Sequence, residues 1–402
     1  MTAHVSGPSF VDPGNWPRRF GPFAEVPLSM QSRVFLPSAL NDGVATAFER
    51  ETPPDLVVAF LPPGDALPAQ LTSLVARWPT ATLVGCEAST QFADGSLETG
   101  GCLQLHRFEN PRSRVWVEAI EVDSALPTPV ELVRLAARLR SCDACFVIAD
   151  GLRFPIQAFL DSLRASLDPP LPPIAGGLAS QSLPITAAGA RVFWGAKLFP
   201  SACLLVGLHG VRMDVEIVRG WDPASPVFTV TAAAGNTVLE IDGEPATTWY
   251  RRYFTADGVL APMPESAYRF PLIIDGPDPA RHGLYRSMQS FDEERRTVTY
   301  WGDVLSGDQV RLGIGNGASL ERAAAALEAS APAQSAVLYS CVGREAVLGE
   351  EAHREAAAVH RALRGIPLAG FFSFGEIGPT PRGGLAFYNQ TAVLALLREE
   401  PA

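Results

Sequence analysis

The residues best suited to chemistry crowd the C-terminal end of the chain: Cys341, Arg344, Glu376, Asn389 and Thr391. Glu376 lies in Gly375-Glu-Ile-Gly-Pro379, a tight turn after the apolar run Leu368–Phe374, where a carboxylate is costly unless it meets a partner. Arg344 follows a run that ends at Cys341, and a guanidinium there suits a two-pronged grip on a ligand carboxylate. Glu376 is then free to hold an amine, with Asn389 and Thr391 as neutral hydrogen-bonding groups. That set fits an amino-acid-like ligand or another small carboxylate. It fits equally well an Arg344–Glu376 pair that only pins two turns. Cys341 also reads two ways, as the nucleophile of a hydrolase or transferase, or as a packed side chain. A reactive thiol needs an electropositive, partly open setting, so packing is the default and the expectation is binding, not catalysis.

Other candidates carry less. Cys142-Asp-Ala-Cys145 has C-x-x-C spacing, but a helix precedes it and a strand follows, the reverse of a redox tetrad, and no second Cys or His pair completes a zinc site. Gly313-Ile-Gly-Asn-Gly-Ala318 nominally matches a dinucleotide loop, yet the next strand ends in Ser340-Cys341 where an acidic ribose ligand belongs, so it reads as a turn opening a helix. His353 and His360 stand two helical turns apart, roughly 10 Å, too far to chelate one ion. His106, on an apolar alternating run, and His209, between Gly207 and Gly210, each read first as structural histidines. Lys197, the single lysine, reads as a strand-edge side chain reaching for water.

The whole chain narrows these options. Its 402 residues suit two domains, and a formal net charge of -11 disfavours nucleic acid, which needs clustered Lys and Arg. The first residues show neither a basic nor an apolar signal segment, and no apolar run approaches the ~18 residues that span a bilayer. Six dispersed cysteines suit a reducing compartment, so the expectation is a cytoplasmic protein without membrane insertion.

The elements that must position the C-terminal residues follow from periodicity. Residues 1–30 read as an irregular leader rich in Pro and Gly. Helical patterns at Ala39–Glu51, Ala66–Trp78, Pro129–Arg140 and Pro155–Leu167 then alternate with strand patterns at Asp55–Leu61, Thr82–Gly85, Val115–Val122 and Cys145–Ala149. Residues 176–210 read as antiparallel strands, and Asp222–Pro226 as a linker. Beyond it come strands around Val227–Ile241, helices at Ser319–Ala329 and Gly349–Leu363, and strands at Ser335–Cys341, Pro367–Phe374 and Gly384–Tyr388. The fold class is α/β, with α+β as the alternative: two layered domains with mixed sheets over 31–221 and 227–402. No short-period repeat is visible, which disfavours solenoids and propellers.

Four C-terminal segments, Val337-Leu-Tyr-Ser-Cys-Val-Gly-Arg344, Leu348-Gly349, Leu368–Pro379 and Tyr388-Asn-Gln-Thr391, together resemble the FIST-C domain, and Ile241–Ala246 fits its front. Val84-Gly-Cys-Glu87 and Ala175-Gly-Gly-Leu-Ala-Ser180 resemble FIST-N, so the likeness runs over about residues 33–400. It implies a sensory module for small, amino-acid-like ligands that signals to a separate protein partner. Some family members are haem-containing nitric-oxide sensors, which keeps haem as an alternative cofactor. A second pocket wall is expected from Gly176, Gly177 and Ser180.

Overall fold

A computed structural model describes residues 30–40, 53–122, 126–166, 171–182, 190–276, 278, 281–327, 332–380 and 384–401. The leader and most of the Ala39–Glu51 helix lie outside the described residues. The fold is α/β with mixed sheets, and its parallel strands read as unbroken apolar runs because both faces are covered, as in Leu56–Leu61 and Ala144–Ala149.

Three strand–helix–strand units share one plan. In the first, parallel strands Leu56–Leu61 and Thr82–Glu87 flank helix Leu67–Arg77. In the second, Ala144–Ala149 and Ile174–Leu178 flank helix Ile156–Ala165. In the third, Ser335–Cys341 and Leu368–Ser373 flank helices Val342–Leu348 and His353–Ala362. Each unit adds an antiparallel return strand beside its first parallel strand, namely Cys102–Arg107, Ala202–His209 or Ala392–Glu399. Each return strand in turn pairs with an outer strand, Gln31–Phe35, Arg114–Glu121 or Val211–Val218.

Between its second parallel strand and its return strand, each unit sends a hairpin into a neighbour. Hairpin 91–98 of the first unit joins the third, with Phe92 opposite Gly370. Hairpin 192–199 of the second joins the first, with Phe193 opposite Gly85, and hairpin 376–388 of the third joins the second, with Ile377 opposite Gly176. The exchange closes a ring of three six-stranded sheets. The three facing glycines are required by close approach: a Cβ at Gly85, Gly176 or Gly370 would lie 1.7, 1.9 or 2.0 Å from the carbonyl oxygen of Ala59, Val147 or Leu338. Equivalent backbone bonds seal the joints, from Glu87 N to Arg191 O (2.9 Å), Leu178 N to Gly375 O (2.9 Å) and Phe372 N to Thr90 O (3.1 Å).

The third unit alone carries a long insertion, residues 219–334, between its outer and first parallel strands. Most of it is an antiparallel sheet of nine strands around helix Ala246–Phe254, with Trp249, Tyr250, Val298 and Tyr300 in its core. That core continues onto Ala386 and Tyr388, so the insertion is seated on the exchanged hairpin of its own unit. Asp222 and Pro223, read as linker, pair with Ile314 and Gly313.

Candidate functional site

The first parallel strand of the third unit ends at Cys341, the chain turns into helix Val342–Leu348, and the return strand begins after the turn Asn389-Gln390-Thr391. A narrow cleft of about 40 Å³ opens there. Cys341, Val342, Gly343, Phe374 and Asn389 line it from the unit itself, and Tyr268, Ser287 and Trp301 from the insertion. Its walls are largely apolar, with few polar groups, the usual make-up of a small-molecule site. Asn389 is buried, donates from Nδ2 to Tyr388 O (3.0 Å), and has no partner for Oδ1. An orphaned buried acceptor of this kind calls for a donor from outside the chain.

Arg344 does not face that cleft's lining and does not bond Glu376. It is fully buried, and its guanidinium is used up within the protein. Nε donates to Glu355 Oε1 (2.8 Å), Nη2 to the same oxygen, and Nη1 to the carbonyls of Arg219 (2.7 Å) and Gln390 (3.4 Å). Ser340 Oγ donates to Glu355 Oε2 (2.6 Å), so both carboxylate oxygens are satisfied. This network replaces both readings of Arg344 from sequence: neither a grip on ligand nor a pair with Glu376, but a buried ion pair tying helix His353–Ala362 to the turn beside the cleft. Glu355 was invisible in the sequence because a Glu on an amphipathic helix reads as solvent-facing.

Glu376 is the first residue of the exchanged hairpin and is also fully buried. Ser373 Oγ lies 2.8 Å from Oε1, while Thr391 Oγ1 (2.9 Å) and Thr391 N (3.3 Å) reach Oε2. Burial dominates these contacts and the distant pull of Arg344, and pushes its pKa up to about 8. At neutral pH the carboxyl is therefore mostly protonated. The Thr391 amide always donates, which leaves Oε2 as acceptor and puts the proton on Oε1, shared with Ser373 Oγ, itself 3.1 Å from Gly375 O. Neither Glu376 nor Thr391 lines the cleft, and the bonds between them support the turn.

The expected second wall is also internal packing. Gly177 sits opposite Glu376 in the sheet, and a Cβ there would come within 2.6 Å of the Tyr339 ring. Gly176 faces the Val147 carbonyl, and Ser180 Oγ donates to Phe372 O while its amide donates to Glu87 O (3.0 Å). These residues fix how two units meet. Of the eight sequence candidates, Cys341 and Asn389 line the cleft. Val342, Gly343, Phe374, Tyr268, Ser287 and Trp301 were missed, the last three because they lie in the insertion, far away in sequence.

Cys341 is buried, and its thiol is held well above the usual range, first by burial and then by the nearby Glu376 carboxyl, against the amides of Gln390 and Gly343. A thiol kept protonated is a poor nucleophile. Cys142 and Cys145 flank the start of the strand Ala144–Ala149, and the six cysteines are free and buried. His106 is buried with Nδ1 2.9 Å from Ser32 Oγ, and burial depresses its pKa to about 3. Among the described residues, none of the clefts around Cys341, Pro172 or Arg286 is lined by a histidine. The loop at Gly313–Ala318 is a helix start, with Asn316 Oδ1 accepting from Ser319 N (3.0 Å).

The three strand–helix–strand units form a ring, with a cleft beside the third. Residues 55–244 match the FIST N domain and residues 246–379 the FIST C domain, and the chain belongs to the FIST family. FIST domains are sensory domains of signal transduction. An "Uncharacterized protein" of Mycobacterium tuberculosis H37Rv is 27% identical over 362 residues, covering 81% of this chain and 86% of its own. Another from Mycobacterium bovis is 25% identical over 274 residues, covering 64% and 68%. The two matched stretches meet at residue 245, inside the insertion.

Proposed function

We propose that the chain is a sensor that binds a small amino-acid-like molecule or carboxylate in the cleft at Cys341 and Asn389 and passes the signal to a separate protein. The unpartnered Asn389 Oδ1 beside aromatic walls carries this reading, because a buried amide oxygen without a donor is stabilised by a ligand that brings one. No described helix is long and apolar enough to cross a membrane, and six free buried thiols suit the cytoplasm. A thermal-shift screen of free amino acids and short carboxylates, repeated on Asn389→Leu, tests it. One ligand class should stabilise the wild type and lose its effect in the variant. Equal stabilisation of both proteins would place the site elsewhere.

A further inference from the structure

The second unit fills, with a side chain of its own, the position that the third unit leaves beside a cleft. Strand register sets the correspondence: Gly176 lies opposite Val147 and Gly370 opposite Leu338, so counting three residues on from each partner puts Asp150 at the place of Cys341. The return strands agree, with Leu205 opposite Val147 and Leu394 opposite Leu338. So do the backbone bonds from Asp150 N to Ala202 O (2.8 Å) and from Cys341 N to Thr391 O (3.0 Å), whose acceptors hold the same register.

Asp150 is fully buried and held by amides alone. Oδ1 accepts from Leu152 N (2.8 Å) and Arg153 N (2.7 Å), and Oδ2 from Ser201 N (3.1 Å). By the same count, the counterparts of these donors in the third unit are the amides of Gly343, Arg344 and Gln390. Those of Gly343 and Gln390 lie near the Cys341 sulfur and oppose the upward push of burial on its pKa, and a thiol is only a weak acceptor for them. The same arrangement of donors thus closes on a carboxylate in one unit and meets only sulfur, at the edge of the cleft, in the other. The unpartnered Asn389 Oδ1 on that cleft is a second, independent sign of an absent occupant. Tyr268, Ser287 and Trp301 complete the wall from the insertion that only the third unit carries.

We infer that the residue at this position decides whether the site is closed or open: Asp150 is the chain's own occupant in the second unit, whereas Cys341 leaves the amides of Gly343, Arg344 and Gln390 to a ligand carboxylate whose N–H or O–H reaches Asn389 Oδ1. The inference rests on the cleft being the binding site. It adds which end of the ligand lies where and which substitution shuts the cleft.

Cys341→Asp copies the occupant of the second unit into the third. Without any ligand, its melting temperature at neutral pH should match or exceed that of the wild type, since the new carboxylate meets amides and faces a mostly neutral Glu376. A large loss, as an unpaired buried carboxylate causes, overturns the inference. Acetate and glycine are the probes, with methylamine as the control lacking a carboxylate. Both carboxylates should stabilise the wild type and Cys341→Ala, and their apparent affinity should fall about tenfold or more in Cys341→Asp. If they bind Cys341→Asp as they bind the wild type but lose Asn389→Leu, the cleft stands as the site and the occupant inference fails. If neither probe stabilises the wild type, or methylamine does as well as glycine, the carboxylate assignment fails.

Discussion

Glu376 makes a quantitative prediction. With a pKa of about 8 in the folded protein against 4.5 for an ordinary glutamate, the native state holds a proton that the unfolded chain releases. Its contribution to stability is therefore fully present below about pH 4.5 and is lost as pH rises through about 8. The separation corresponds to on the order of 5 kcal/mol across that window. Glu376→Gln removes the titration while keeping the geometry of the neutral acid: the amide oxygen accepts from Thr391 N, and the amide nitrogen donates toward Ser373 Oγ, as the proton on Oε1 does. Urea unfolding midpoints of both proteins, measured from pH 5 to pH 9, test this. The variant should be close to the wild type near pH 5 and the more stable of the two at pH 9, the gap opening steadily through neutrality. Parallel curves over the whole range would show that Glu376 ionises like a surface carboxyl and that burial does not control it.

Removing one partner of the Arg344–Glu355 pair leaves a buried charge uncompensated, so Arg344→Ala or Glu355→Gln should lower stability by roughly 3–5 kcal/mol in denaturant titrations, while the paired change Arg344→Met with Glu355→Leu recovers much of it. A wild-type midpoint for Arg344→Ala would return the guanidinium to the list of ligand-binding groups. Gly370→Ala places a methyl group 2.0 Å from the Leu338 carbonyl and should destabilise the joint between units by roughly 3 kcal/mol or more, read as a lost cooperative melt or insoluble expression. Iodoacetamide should leave Cys341 unmodified in the native protein at pH 7.5 on the timescale that labels glutathione. Rapid, selective labelling would revive the nucleophile.

Much of the fold was legible because local signals and tertiary demands agree. Helix Pro129–Arg140 has the bounds its periodicity gives, with Thr128 and Glu131 forming a capping box, and the strand Ser335–Cys341 is the apolar run itself. The hairpins were not legible, since a three-residue strand such as Gln91–Ala93 has no periodicity and owes its conformation to an edge supplied by another unit. For the same reason the division at 222–226 describes sequence character better than connectivity: hairpin 91–98 is paired to Leu368–Ser373, and hairpin 376–388 to Ile174–Leu178. At the site, sequence marked the right neighbourhood and misjudged individual roles. Arg344 and Glu376 drew notice as charges in apolar surroundings, and both are buried, but their partners, Glu355 for one and Ser373 with Thr391 for the other, are set by tertiary packing.

The three units also explain why the proposed site belongs to the third. At the position of Asp150 and Cys341 the first unit has Pro62, which offers neither a side-chain acceptor nor a backbone N–H. The second unit satisfies its amides internally through Asp150. The third combines a weak acceptor, a buried amide oxygen without a partner, and an insertion that walls the space above them. Because that insertion is seated on hairpin 376–388, and the hairpin belongs to the sheet of the second unit, anything that moves Trp301 or Ser287 bears on the strands that join two units. A ligand held in this cleft therefore contacts both the ring and the insertion, the two parts whose relative packing a sensor of this build has available to change.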